Sequence, residues 1–408
     1  MMPGTYVGGA PQTTAELRSP ARTSRWSDRY TLVMFAAVSL ALVAIGVTLL
    51  IGLRVRPEHY GNAPMAEYYL AMACRCPWPQ TGVPWSIHGV TAPYRYRVLV
   101  PWIAGLLPFE TATSLSLVTY ASLGMYYFLI LLTFRRLGIG AGASMFALVL
   151  PYVFEAHFVN YYHPFLVEGF GLMMMALMLY ALTIDSFWLF AIAGLVGVFA
   201  REVVWFVLPV WCARDLKRGI ALTVVAAVAL LVERAWLWGA PIPYTIHPVT
   251  IALWHLHGLS NYVRDVRATW GWVFPVTALG LALLPPTAFR TMGPMALGLF
   301  VAALCSTFMA TDTPRLFGVM MPAVAIATAQ LITLFVERRQ RLMLACLFGL
   351  VVLQFLITPQ NGVTSNPHAI SAIARPIKLG TLWALVAAFL LRRELADGFR
   401  DKVRAALR

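Results

Sequence analysis

The stretch FWLFAIAGLVGVFA-RE-VVWFVLPVWCA, residues 187–213, decides how this chain is threaded. It is apolar throughout except for Arg201-Glu202 in its middle. Read as one long helix, it carries Arg214, Lys217 and Arg218 to the side opposite the other basic loops. That breaks the bias that keeps Lys and Arg on the cytoplasmic side of a membrane. Read as two short segments, 187–200 rising and 203–213 returning, it keeps those charges inside. Arg201 and Glu202 then sit at an outer tip. The basic loops favour the pair.

The rest of the chain is of the same kind. Its 408 residues are 60% hydrophobic and 12% charged, with mean hydropathy +0.73, whereas soluble domains carry about 25% charged residues. Apolar runs of about 20 residues recur along nearly the whole length, as spanning helices require. Beyond the 187–213 pair, spans are predicted at 30–53, 113–134, 141–159, 165–184, 219–236, 270–288, 293–311, 316–335, 341–358 and 377–392. The first is too long for a signal peptide and lacks a small-residue cleavage site. The expectation is an all-α polytopic integral membrane protein with about 12 crossing segments, two of them short.

Three regions follow. Residues 1–29 are polar, with Arg18, Arg22, Arg25 and Arg29, and read as a mostly disordered cytoplasmic tail. Residues 30–392 read as a single transmembrane domain with outer loops at 54–112 and 237–269. The first loop contains a short interfacial helix at 66–73 and a half-buried helix at 96–108. Residues 393–408 form a basic cytoplasmic tail. Both termini are expected inside, in the inner (plasma) membrane of the cell.

The net charge of +14 belongs to short loops and tails, where it fixes orientation rather than binding nucleic acid. Five cysteines are too few for a disulfide framework, and Cys74-Arg75-Cys76 is a poor metal site without further ligands. All eight histidines fall on the outer half of the threading, yet their spacing matches no zinc signature.

Ionisable residues at membrane depth are costly and mark function. Arg95, Arg97, Glu168, Arg201, Glu202, Asp312 and Arg315 all thread to one face, the outer one, and predict a polar, anion-binding cavity there. In Pro93-Tyr94-Arg95-Tyr96-Arg97-Val98 the two arginines suit a phosphate or diphosphate, or else interfacial anchoring. Glu168 follows Asn160-Tyr161-Tyr162-His163-Pro164 by one turn and sits at a helix start. Arg201 and Glu202 point in different directions and pair poorly with each other; Arg201 with Glu168, and Glu202 with Arg95 or Arg97, are the pairings open to them. Asp312 can cap the helix entered at Pro314, displaying Arg315 at the boundary. Glu67, beside Tyr68 and Tyr69, can serve as a general base or as an exposed helix charge.

These motifs resemble the GT-C superfamily of polytopic membrane glycosyltransferases. The resemblance rests on Glu67-Tyr68-Tyr69, on Tyr94-Arg95-Tyr96-Arg97-Val98-Leu99-Val100-Pro101, on Arg201-Glu202 and on Asp312-Thr313-Pro314-Arg315. It implies sugar transfer from a polyprenyl-phosphate donor to a lipid-linked glycan, polymer or protein acceptor at the outer face. Glu67 would be the base; Glu168 is the other candidate for that catalytic role. The resemblance implies Arg95, Arg97 and either Arg201 or Arg315 as phosphate ligands, and His163, Glu202 and Asp312 are further candidates for the substrate site. The chain departs from the family pattern in having no Asp between Asp28 and Asp185, and His163 stands before Pro164 where similar sequences tend to have Asp. No cofactor is assigned, and a divalent cation stays open. The rival readings are a transporter or flippase for an anionic lipid or lipid-linked sugar, and a glycan polymerase or ligase.

Overall fold

The structure is a computed structural model, and the residues it describes are 28–52, 73, 97–149, 161, 167–236, 248–260, 262–263, 266, 271–308, 317–357, 377 and 381. Among these the regular elements are helices, with no strand. In chain order they are α1 (Asp28–Gly52), α2 (Leu99–Gly105), α3 (Thr111–Arg136), α4 (Ala141–Val149), α5 (Glu168–Thr183) and α6 (Phe187–Ala200). A 3-10 helix (Glu202–Ala213) follows. Then come α7 (Leu216–Trp236), α8 (Pro248–His257), α9 (Val273–Ala282), α10 (Pro286–Phe308), α11 (Met321–Glu337), entered through a 3-10 turn at Phe317–Met320, and α12 (Arg341–Ile357).

Four helical stretches among the described residues are long and apolar enough to cross a membrane: Thr31–Thr48, Thr111–Arg136, Pro286–Thr307 and Phe317–Glu337. The outward faces agree with a lipid surround. On α7, Ile220, Val224, Val225, Val228, Leu231 and Val232 are exposed along the length of the helix. In water such a continuous apolar face would be a liability; against lipid tails it is the expected surface. Tyr126, Tyr127, Phe134, Phe190, Phe317 and Phe335 are fully buried in the interior, and the residues of α11 are mostly buried on every side.

The stretch 187–213 is a hairpin. α6 stops at Ala200, Arg201 is extended (φ −157°, ψ 114°), and the chain returns as the 3-10 helix. The pairing runs antiparallel: the Trp211 ring meets Phe187 and Phe190 near the open end, and Val204 lies against Gly197 near the tip. Midway, a methyl group on Gly194 would collide with the Leu208 side chain, so the glycine leaves the room that Leu208 fills between the two arms. The 3-10 winding also settles how so short a return covers its distance. At about 2.0 Å per residue the 12 residues extend roughly 24 Å, against roughly 18 Å for an α-helix.

Three connections at the far end of the bundle share one device. Ile139 N–H donates to Phe134 O, Ser186 N–H to Ala181 O, and Gln340 N–H to Phe335 O, at 3.0, 3.0 and 2.7 Å. In each, the residue before the donor is left-handed: Gly138 (φ 72°), Asp185 (φ 55°) and Arg339 (φ 53°). This is the Schellman stop, which satisfies the last carbonyls of a helix and reverses the chain within a few residues. Arg214 ties this end together. It donates to Asp185 Oδ1 (3.0 Å), to Leu182 O (3.4 Å) and to the hydroxyl of Thr291 at the start of α10.

Two expectations need correction. Arg290 was placed in a loop between spans ending at 288 and starting at 293. Helix α10 in fact begins at Pro286, so Arg290 lies inside it. Pro285-Pro286 ends the preceding helix early and supplies a preformed first turn. The outer loop 237–269 also contains a helix, α8, with Leu253, Trp254 and Leu256 exposed. The 377–392 span and the flanking tails lie outside the described residues, apart from Ile377 and Thr381.

Candidate functional site at the Arg97 end

The end of the bundle opposite Arg214 gathers charges from four separate stretches of chain. Arg97 stands two residues before α2 and Glu168 opens α5. Arg201 and Glu202 form the hairpin tip, and Glu233 lies in the last turn of α7. Each sits where a helix starts or ends, because that is where a charged side chain can leave an apolar wall.

Arg97 and Glu202 face each other fork to fork. Arg97 Nε donates to Glu202 Oε2 at 3.0 Å and Nη2 donates to Oε1 at 2.9 Å. Their side chains are 13% and 27% exposed, so the pair edges the surface of the cluster. Two parallel N–H···O bonds fix the plane of the guanidinium as well as its position.

The other half of the hairpin tip points inward. Arg201 Nη2 lies 4.0 Å from Glu168 Oε1, with side chains only 3% and 5% exposed. At that distance the contact is an ion pair rather than a direct hydrogen bond. Glu168 gains further from its place in the first turn of α5, where the positive end of the helix dipole favours a carboxylate. Room for the arginine comes from Gly171: a methyl group there would stand 3.2 Å from Arg201 Cδ and 3.4 Å from its Cβ. Adjacent residues thus serve different partners, and the backbone of Arg201-Glu202 links a surface pair to a buried one.

Glu233 is a member that reading the sequence overlooked. Its side chain is 6% exposed, and neither carboxylate oxygen has a hydrogen-bond partner among the described residues. It stands level with Glu202. The Cys212 backbone meets α7 at Gly219; from there Glu202 is 10 residues along the 3-10 helix and Glu233 is 14 along α7. Both climb about 20 Å. The signal was available, since an acid inside an apolar run is a functional candidate in its own right.

Of the residues expected at this site, the structure brings Arg97, Glu168, Arg201 and Glu202 together, in the pairings Arg97–Glu202 and Arg201–Glu168. Glu67, Arg95, His163, Asp312 and Arg315 lie outside the described residues. Among the described residues no group of three His, Cys, Asp or Glu side chains is placed to hold a metal ion. The opposite end has a cavity of about 450 Å³ lined by Asp185, Phe187, Trp188, Arg214, Asp215 and Arg218. Its charges are already matched there, Arg214 to Asp185 at 3.0 Å and Arg218 to Asp215 at 3.4 Å.

Comparison of the chain with protein-family models, with curated proteins and with solved structures yields no match. What can be said of the chain's chemistry therefore rests on its own residues: an all-helical protein with membrane-length apolar helices and one end that concentrates paired arginines and carboxylates.

Proposed function

We propose that this chain is a glycosyltransferase of the inner (plasma) membrane. It moves a sugar from a polyprenyl-phosphate donor to a lipid-linked glycan, polymer or protein at the outer face. The observation that supports this most is the Arg97–Glu202 and Arg201–Glu168 cluster at one end of the helical body. The other end carries Arg135, Arg136, Arg214, Lys217, Arg218 and Arg290 against Asp185 and Asp215. By the positive-inside bias that basic end faces the cytoplasm, which turns the cluster outward.

The chemistry fits such a donor. A polyprenyl chain lies between apolar helices while its phosphate reaches the boundary where the arginines stand. As the acceptor hydroxyl attacks the sugar's anomeric carbon, the bond to the phosphate oxygen breaks and the phosphate leaves with the electron pair. Negative charge grows on it, so guanidinium groups held in place by carboxylates stabilise the transition state more than the bound donor. The acceptor's proton passes to a carboxylate, and Glu67 is the one the resemblance names, with Glu168 the second. A site walled by helices keeps water from the donor.

The test is mass spectrometry of lipid-linked and surface glycans in a deletion strain carrying wild type or Arg201→Gln. Loss of one sugar unit, restored by wild type and not by the variant at equal membrane abundance, is the expected result. An unchanged profile in the deletion strain would overturn the transferase reading. Accumulation of an intact lipid-linked precursor on the inner face would point to transport instead.

A further inference from the structure

Glu233 has no part in the reading above, yet both oxygens of its buried carboxylate lack a hydrogen-bond partner among the described residues. An ionised carboxylate is a pure acceptor, with about four lone-pair directions to satisfy. Removing it from water without donors is costly. The two arginines within the cluster point elsewhere, Arg97 to Glu202 and Arg201 to Glu168. Among the described residues nothing supplies those donors, and a bound molecule can.

Besides water, three kinds of ligand can satisfy a carboxylate: a metal ion, an organic cation and a hydroxylated molecule. The acids here do not converge as metal ligands do. A cation would be held by Glu202 and Glu233 together, but Glu202 is already neutralised by the fork of Arg97. Hydroxyl groups are neutral, carry donors, and need only one acceptor-rich side chain beside them. In a site whose arginines receive a phosphate, the atoms adjoining that phosphate in the donor are the hydroxyls of its sugar.

We propose that Glu233 is a sugar-binding residue: its carboxylate accepts hydrogen bonds from ring hydroxyls of the donor sugar, beside the Arg97–Glu202 pair. This deepens the transferase reading and rests on it. Glu233 sets where the sugar lies relative to the phosphate. A side chain that accepts two hydroxyls at once discriminates among sugars by the orientation of neighbouring hydroxyl groups, as buried hydrogen-bonding sites do when a partner is missing or misplaced.

The experiment is thermal unfolding of the purified full-length protein in detergent with two probes, polyprenyl phosphate alone and a panel of polyprenyl-phosphate hexoses and pentoses. Wild type is expected to be stabilised by the first and further stabilised by one of the second. Glu233→Gln should respond to polyprenyl phosphate as wild type does and lose the sugar's increment, equivalent to about 10- to 100-fold weaker binding of the glycosylated probe. An intact response to the bare phosphate also shows the variant folded. If Glu233→Gln does not accumulate, Glu233→Asp takes its place, with a reduced increment or an altered sugar preference expected. A sugar increment that survives in the variant overturns the role of Glu233 and leaves the transferase reading standing. Failure of every probe to stabilise wild type overturns both.

Discussion

Arg97 and Glu202, 105 positions apart in the chain, are held by two hydrogen bonds of 3.0 and 2.9 Å, so the short helix α2 is pinned to the tip of the 187–213 hairpin through a single guanidinium. The contact needs the planar fork of arginine. Arg97→Lys keeps the charge and loses one of the two bonds, so it should cost about 1 kcal/mol of stability. Removing either partner, by Arg97→Ala or Glu202→Ala, leaves a half-buried charge behind and should cost about 1–3 kcal/mol. A double-mutant cycle on thermal unfolding in detergent measures the coupling, expected to be of similar size. Additive single costs would show that the pair contributes nothing.

The inner pair behaves differently because it is out of solvent. Arg201→Leu or Glu168→Leu removes one partner of a buried ion pair and should destabilise by about 3–5 kcal/mol. The double replacement Glu168→Leu/Arg201→Leu removes both and should be recovered to near wild-type stability, since a buried ion pair owes much of its gain to offsetting its own desolvation. Function is expected to be lost in the double variant all the same. A protein that folds at wild-type temperature and fails in the glycan assay would separate the structural part of this pair from its chemical part.

Gly171 offers a way to disturb Arg201 without touching a charge. A methyl group at this position would press on Arg201 Cβ and Cδ at 3.4 and 3.2 Å, closer than ordinary carbon contacts. Gly171→Ala should therefore shift the guanidinium with little harm to α5. The helix itself gains by the change, about 1 kcal/mol over glycine. Stability near that of wild type with reduced transfer is the expected outcome, measured by unfolding and by the same glycan assay. Gly171→Val adds a second branch and should cost about 1–3 kcal/mol through overpacking.

Much of this arrangement was legible in the sequence, for physical reasons that are specific to each residue. The hairpin followed from charge, because Arg214, Lys217 and Arg218 had to lie with the other basic loops. The pairs followed from direction: neighbours on a helix diverge, so Arg201 and Glu202 required separate partners. Arg95 and Arg97 were not distinguishable, since both lie in one short motif and only side-chain direction selects between them. Glu233 was not singled out, although it is an acid three residues inside the end of the predicted 219–236 span. The turns at Asp185 and Arg339 were hidden for another reason. Left-handed stops are signalled by glycine or asparagine, and neither residue is one of these.

The hairpin has a consequence for topology that labelling can check. If 187–213 turns back at Arg201, then Trp188 and Lys217, both exposed, lie on the same side of the membrane, and Glu110, exposed at the start of α3, lies on the other. The five native cysteines must first be replaced, because Cys74 and Cys76 belong to the loop expected outside. In that background Glu110→Cys should react with an impermeant maleimide added to intact cells, whereas Trp188→Cys and Lys217→Cys should react only after permeabilisation. A single helix through 187–213 would instead expose one of the latter two from outside. Labelling of either in intact cells, with the other protected, would rule out the hairpin as a membrane topology. Labelling of both with Glu110→Cys protected would keep the hairpin and invert the protein, moving the arginine–carboxylate cluster to the cytoplasmic face.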